Sequence, residues 1–234
     1  MSRLASSIHG DGRLQLRQGF YWAAAFMLAV LVAVGRELPG EFLAWLLPVL
    51  ILNNVQINTF YFLAGLVLLE KGEGTLEAQV VTPLRPWEYL ASKVATLTAL
   101  SVVENVVLVL ATLGPGGVTP GLVLGIVLSA VFFCLAGFLA VARYDSINEF
   151  LMPSFLYTVA LTLPILPYFA LIESPLFDLH PIQAPLLLLR RAVDGGELSA
   201  VAAAACGLWT VAAAALCLRA FGRFVVRREG GHRR

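Results

Sequence analysis

Long apolar runs alternate with short polar connections along most of this chain. A helix needs about 20 mostly apolar residues to cross the hydrocarbon core of a membrane. Six runs approach or exceed this length and predict transmembrane helices at residues 18–35, 42–69, 94–113, 122–142, 150–172 and 198–218. None shows the alternation with a period of two that barrel strands require. The predicted fold class is therefore an all-α integral membrane protein with six spans.

The composition agrees with this pattern. Of the 234 residues, 59% are hydrophobic and only 13% are charged, whereas soluble domains carry roughly 25% charged residues. The cations form no basic stripe with interleaved aromatic residues, so nucleic acid is not an expected partner. We expect one membrane domain over residues 1–234.

The positions of the cations predict the orientation in the membrane. With the N-terminus in the cytoplasm, thirteen of the 16 Lys and Arg residues fall on the inner side, as the positive-inside rule requires. Both termini are then cytoplasmic. The alanine- and arginine-rich composition indicates a bacterium, so a bacterial plasma (inner) membrane is the expected location. Residues 1–18 form a cytoplasmic leader that lies on the membrane as an amphipathic helix, and residues 219–234 form a basic cytoplasmic tail. Residues 173–197 form an outer interfacial or re-entrant helical segment.

One inner connection, residues 70–93, is unusually long and polar. Within it, Leu76 and Val80 lie one helical turn apart, and Glu73 and Glu77 lie on an adjacent face. This spacing predicts a short helix with an apolar edge and an acidic edge. Glycines precede it and two prolines follow it, so it is bounded by breaks in the helical backbone. Such an element suits docking onto a cytoplasmic partner; the alternative is a solvated loop.

The start of the third predicted span carries residues typical of a membrane interface. Pro86 suits the first position of a helix. We expect Trp87 and Tyr89 at the headgroup level, with Lys93 reaching the interface.

The same segment carries a resemblance to a known family. EKGEGTLEAQVVTPLRPWEYLASK resembles the E-x-x-x-G-T-L-E-x-L-x-x-T-P-x-x-x-x-E-x-x-x-x-K segment of ABC-2 type transporter permeases. Within that family, the run NNVQINTFYFLAGLVLLEKGEGTLEAQVVTPLRP is most similar to fluoroquinolone export permeases. The resemblance implies a cytoplasmic coupling helix between spans two and three. The match carries over onto Glu70, Gly74, Thr75, Leu76, Glu77, Thr82, Pro83, Glu88 and Lys93. We expect contact with an ATPase from the matched residues between 70 and 83, together with Glu73 and Val80 from the edges of the predicted helix. The chain departs from the pattern at Ala78 and Gln79, near where many members have Leu.

The resemblance also implies partners. The chain has no G-x-x-x-x-G-K-[ST] phosphate loop, so we expect no ATPase site and no catalytic residues of its own. ATP and Mg²⁺ would bind to separate ATPase subunits. A second permease subunit, identical or different, would complete a path for a hydrophobic or amphipathic small molecule, for example a fluoroquinolone.

Polar residues inside the predicted spans are candidates for the substrate path. The second span carries Asn53, Asn54, Gln56 and Asn58, and the third carries Glu104. Unpaired amides are costly in lipid, so these side chains are expected to face protein, water or each other. At 100° per residue, Asn54 and Asn58 share one face, while Asn53 and Gln56 share another. Either pair can line a path or bridge two helices.

Three prolines, Pro153, Pro164 and Pro167, fall in the fifth predicted span. Each removes a helical hydrogen bond, so we expect kinks there, which would suit an outer gate. The three histidines and three cysteines show no metal-ligand spacing, and we expect no metal site.

Two other classes of protein remain as alternatives. A multi-span enzyme acting on lipid needs clustered acids, histidines or a nucleophile at one depth. An ion-coupled secondary transporter usually has several intramembrane acids and inverted repeats. Neither pattern is visible, because Glu104 is the one charged residue well inside a predicted span.

Overall fold

The computed structural model describes residues 3–74, 85–194 and 198–229. Regular secondary structure in these residues is helical throughout. The α-helices are α1 (Arg3–Arg17), α2 (Phe20–Glu37), α3 (Gly40–Gln56), α4 (Phe62–Gly72), α5 (Pro86–Thr112), α6 (Pro120–Val141), α7 (Ile147–Leu161), α8 (Ile165–Tyr168), α9 (Gln183–Asp194) and α10 (Ala200–Glu229). A π-helical turn, Ile57–Tyr61, joins α3 to α4 without a break, and 3₁₀ turns occur at Pro115–Gly117 and Pro175–Leu179.

Five helices in the described residues are long and apolar enough to cross a membrane. They are Phe20–Glu37, Gly40–Gly72, Trp87–Thr112, Pro120–Val141 and Ala200–Phe221. Each corresponds to one of the six predicted spans. The prediction of an all-α, multi-span membrane protein is therefore confirmed.

The fifth predicted span, residues 150–172, is a broken helix in the structure. Its main part, α7, has 15 residues, or roughly 22 Å at 1.5 Å per residue, which is shorter than a hydrocarbon core of about 30 Å. The break follows Leu161, because the residue before Pro164 disfavours helical geometry. Pro153 lies inside α7 without ending it, and Pro167 lies within the short α8. The helix is thus interrupted next to Pro164 and Pro167, whereas α7 continues through Pro153.

The bundle has two distinguishable ends. We call the end where α1 packs against the start of α5 the α1 end. The ring of Phe221, near the end of α10, lies 5.2 Å from the ring of Tyr89 at this end. At the far end, the Tyr168 hydroxyl donates to the Trp45 carbonyl at 2.6 Å. The amphipathic helix expected in the leader is present as α1.

Helix α6 occupies the centre of the bundle and contacts α3, α4, α5, α9 and α10. One close approach is at Gly137, where an added Cβ would lie 2.8 Å from the carbonyl oxygen of Phe60. A second close approach is at Gly125, 3.1 Å from the carbonyl oxygen of Pro185 in α9. Glycine at these two positions lets backbone meet backbone, which fixes the π-helical turn and α9 against α6.

The segment predicted as an outer helix, residues 173–197, contains α9. This helix packs on α6 and α3 and buries Leu186 and Leu189. Before it, the backbone N–H of Ile182 donates to Nδ1 of His180 at 3.2 Å. The other ring nitrogen therefore donates to the Ala160 carbonyl, 3.1 Å away. Burial lowers the pKa of His180, which agrees with a neutral ring in this arrangement.

Candidate functional site

A buried charged cluster joins α1, α4 and α5 at the α1 end. We call it the stem cluster, and it consists of Asp11, Glu70, Tyr89 and Lys93. The Lys93 Nζ lies 2.5 Å from Glu70 Oε1 and 2.9 Å from Asp11 Oδ1. The Tyr89 hydroxyl donates to Glu70 Oε2 at 2.5 Å. Lys93 is completely buried, so one ammonium group holds two carboxylates from different helices.

Helix α1 is tied to α5 by further hydrogen bonds along the same face. The Ser92 hydroxyl donates to Asp11 Oδ2, and Ser7 donates to Ser92 at 3.0 Å. One turn further on, Gln15 Nε2 donates to the Thr96 hydroxyl at 2.8 Å. These contacts give the leader a fixed position on the bundle.

Lys71, the residue after Glu70, makes a separate connection to the end of α6. Its Nζ donates to the Tyr144 carbonyl at 2.5 Å and lies 3.5 Å from the carbonyls of Val141 and Ala142. A cation placed on the last carbonyls of a helix is favourable, because these groups lack intrahelical partners and carry partial negative charge. Adjacent residues of α4 thus bind α5 on one side and the α6 terminus on the other.

The segment between α4 and α5 is held at both of its ends. On the α4 side, Gly74 has a positive φ of 67°, and Gln18 contacts the exposed Glu73 at 3.4 Å. On the α5 side, the backbone N–H of Arg85 donates to Glu88 Oε2 at 2.8 Å, which forms a capping box. The middle of the segment, with Thr75, Leu76, Glu77, Val80, Thr82 and Pro83, lies outside the described residues.

A second polar cluster lies in the middle of the bundle. We call it the amide cluster, and it consists of Asn54, Asn58, Glu104 and Asn105. Asn58 Nδ2 donates to Glu104 Oε2, and Asn54 Nδ2 donates to Asn105 Oδ1 at 3.2 Å. All four side chains are buried. The expectation that Asn54 and Asn58 share a face is matched by their contact with successive residues of α5.

Several buried polar atoms around this cluster have no hydrogen-bond partner among the described residues. They are Oδ1 of Asn54 and Asn58, both side-chain polar atoms of Gln56, Oγ of Ser101 and Oε1 of Glu104. The π-helical turn begins beside them at Ile57, and π turns occur frequently at functional sites. Unsatisfied acceptors at mid-depth can receive hydrogen bonds from water or from a cargo.

The two remaining amides differ from each other, although the sequence placed them on one face. Gln56 is buried, whereas Asn53 is exposed on the same surface of α3 as Phe42 and Trp45. Asn53 lies near the middle of the long helix Gly40–Gly72. It is therefore the amide of this span that faces outward from the chain.

The stem cluster was not predicted from the sequence. Tyr89 and Lys93 were expected at the membrane interface, and both are buried instead. Glu70 was expected to face an ATPase, and its side chain points into the bundle toward Lys93. A signal was present in Asp11, an acid on the same face of α1 as Leu4, Ile8 and Gln15. A charged acid on the packing face of a helix is costly to bury without a partner, and a buried cation is one such partner.

Five helices of the described residues are long and apolar enough to cross a membrane, and they enclose two buried polar clusters within an apolar core, which defines a multi-span membrane protein. Residues 2–229 match the family model for fluoroquinolones export permease proteins, so the chain belongs to that family. It is 35% identical to the fluoroquinolones export permease proteins of two Mycobacterium tuberculosis strains, CDC 1551/Oshkosh and H37Rv. Each alignment covers 98% of this chain and 99% of the relative. No solved structure matches the chain significantly. The predicted family is therefore confirmed.

Proposed function

We propose that this chain is the membrane subunit of an ATP-driven exporter. Separate ATPase subunits, which bind ATP and Mg²⁺, act on residues 70–93, and a second permease subunit completes the translocation path. The cargo is a hydrophobic or amphipathic small molecule, and a fluoroquinolone is the candidate that the names of the relatives supply. The subunit lies in the inner membrane of a bacterium, with both of its termini in the cytoplasm.

The stem cluster is the observation that carries this proposal. Force applied to the segment between α4 and α5 does work on the bundle only when the segment is attached rigidly. Glu70 before the segment and Lys93 after it are joined at 2.5 Å, and Lys71 joins the same stem to the end of α6. A push on the segment therefore moves α4, α5 and the end of α6 together, and α1 with them through Asp11, as a switch between two states requires.

The arrangement of the two ends supports six crossings. At the α1 end, the Tyr144 ring contacts Phe150 at 5.6 Å. At the far end, Tyr168 contacts Trp45. The chain from Phe150 to Tyr168 thus runs from one end to the other, although its helix is broken. With six crossings, the leader, residues 70–93 and the end of α10 lie on one side of the membrane.

The exposed position of Asn53 supports a translocation path that a second permease subunit completes. A side-chain amide facing hydrocarbon without a partner is costly. Asn53 is exposed near the middle of a span, so it faces either another subunit or a water-filled path. The surface that includes Phe42, Trp45 and Asn53 is the part of α3 that we assign to this path.

The coupling role predicts a specific defect in a Leu76→Ala/Glu77→Ala variant. These changes remove the apolar and acidic contacts proposed for the ATPase while leaving the stem cluster intact. We expect stimulation of ATPase activity by a fluoroquinolone to fall at least fivefold in proteoliposomes that contain both subunits. Basal ATPase activity, which the partner provides, is unchanged.

A matched control is a Leu171→Ala/Glu173→Ala variant. It removes the same two residue types from exposed positions near the far end, and stimulation should stay at the wild-type level. The coupling assignment is wrong if the Leu76/Glu77 variant co-purifies with the ATPase and exports the drug normally.

The path assignment predicts that a cysteine at position 53 is accessible to water. Thiosulfonates react with the thiolate, which forms only where water is present. We expect a cationic thiosulfonate to modify Asn53→Cys and not Asn54→Cys, whose side chain is buried. The native Cys134, Cys206 and Cys217 are also buried, so they give little background. Complete protection of position 53, with and without nucleotide on the ATPase, would count against a path along this face.

A further inference from the structure

A groove of about 720 Å³ runs between α1, α2 and α5. Its floor is formed by Ala95, Ala99 and Val103, which succeed one another at one-turn spacing along α5. Ile8 and Leu16 of α1 form one wall. The two alanines of the floor leave space for a channel along the axis of α5.

The groove is a fixed feature of the fold. Asp11, Gln15 and Ser7 all bind α5 on the packing face of α1, which sets the separation of the two helices. Gly12 borders the groove, and a Cβ there would meet only the Tyr21 hydroxyl, 3.9 Å away. Absence of a side chain at Gly12 thus keeps this part of the groove open.

One cation borders the groove. Arg13 lines it from α1 beside the imidazole of His9, and both side chains are exposed. In the described part of the chain, no carboxylate lies within ion-pair distance of Arg13. The acid of α1, Asp11, is turned away and bound to Lys93. An anion near Arg13 would therefore meet a cation without competition from a neighbouring acid.

We propose that this groove binds one anionic phospholipid, with the phosphate at Arg13 and an acyl chain along Ala95, Ala99 and Val103. Helix α1 leads through a short turn into the membrane-spanning α2, so Arg13 lies at headgroup depth and the floor of α5 descends into the hydrocarbon layer. Cationic side chains near the membrane surface attract anionic lipids. An acyl chain has no polar groups to satisfy, so it fits the apolar floor better than a peptide backbone does.

This lipid site is independent of the ATPase partnership, and it can be tested on the purified permease alone. Native mass spectrometry in detergent would count lipid adducts after addition of phosphatidylglycerol or phosphatidylcholine with the same acyl chains. We expect the wild type to retain one phosphatidylglycerol at least fivefold more than phosphatidylcholine. Gly12→Leu, which places a side chain in the groove, should reduce the phosphatidylglycerol adduct at least fivefold.

Three further variants separate the groove from general effects on α1. Gly10→Leu adds the same side chain to an open, exposed position of the same helix, and the adduct should persist. Arg13→Gln should remove the preference for phosphatidylglycerol, whereas Arg13→Lys should keep it. Near-equal adducts of the two lipids in the wild type would show annular lipid only and overturn the proposal. Adducts that persist in Gly12→Leu, or retention of a fluoroquinolone or a peptide in place of lipid, would overturn it as well.

Discussion

A Lys93→Met variant is expected to lose about 3–5 kcal/mol of folding stability, the usual effect of removing one partner from a buried ion pair. The cause is specific to the stem cluster. Methionine retains most of the volume of lysine, but the buried carboxylates of Asp11 and Glu70 would lose the ammonium group that lies 2.9 and 2.5 Å from them. Thermal unfolding in detergent, followed by tryptophan fluorescence, should show Tm lowered by roughly 10 °C.

A charge-neutral triple variant provides the control for Lys93→Met. Asp11→Asn, Glu70→Gln and Lys93→Met together remove all three charges while keeping similar volumes. Replacing all members of a buried ionic group at once is often close to neutral. The triple variant should therefore be clearly more stable than Lys93→Met alone. If it is equally unstable, packing rather than charge explains the effect, and the stem cluster is not held by electrostatics.

A Gly137→Val variant is expected to lose about 3 kcal/mol or more, at the upper end of typical overpacking effects. A Cβ at this position would lie 2.8 Å from the Phe60 carbonyl oxygen and 3.2 Å from its Cα. Both are backbone atoms, so they cannot move aside as the end of a side chain can. The added group would push α6 away from the π-helical turn. The expected result is a lower Tm and a smaller yield of folded protein from the membrane.

Gly207→Val in α10 is the matched control. Nothing lies within 4 Å of a Cβ added at Gly207, and valine is a better helix former than glycine. Its Tm should equal or slightly exceed that of the wild type. A Gly137→Val protein as stable as Gly207→Val would show that α6 does not approach the turn this closely.

The membrane helices were predictable because their signal is local. A run of about 20 apolar residues identifies a span with no knowledge of its neighbours, and five of the six predicted runs are helices of sufficient length. The exception, residues 150–172, is as apolar as the others. Its break follows from Pro164, because a proline disfavours helical geometry at the preceding residue. A pattern of hydrophobicity alone does not contain this information.

The polar clusters were only partly predictable because they depend on contacts between distant segments. Helical periodicity correctly placed Asn54 and Asn58 on one face of the second span. Which residue each amide meets was not encoded locally, since Glu104 and Asn105 belong to another helix. Lys93 illustrates the same difficulty, because a lysine near a helix end usually extends to the membrane surface. Only the joint presence of Asp11 and Glu70 makes its burial favourable.

The π-helical turn at Ile57–Tyr61 determines the direction in which each side chain of the following helix, α4, points around the helix axis. A π turn accommodates one residue more than an α-helical turn, and one residue corresponds to about 100° of rotation. Glu70 lies downstream of this surplus residue and points at Lys93. Without the surplus, the carboxylate would be carried to a different side of the helix. The alignment of the Glu70–Lys93 salt bridge is therefore determined by the extra residue of a π turn that lies more than two helical turns before Glu70.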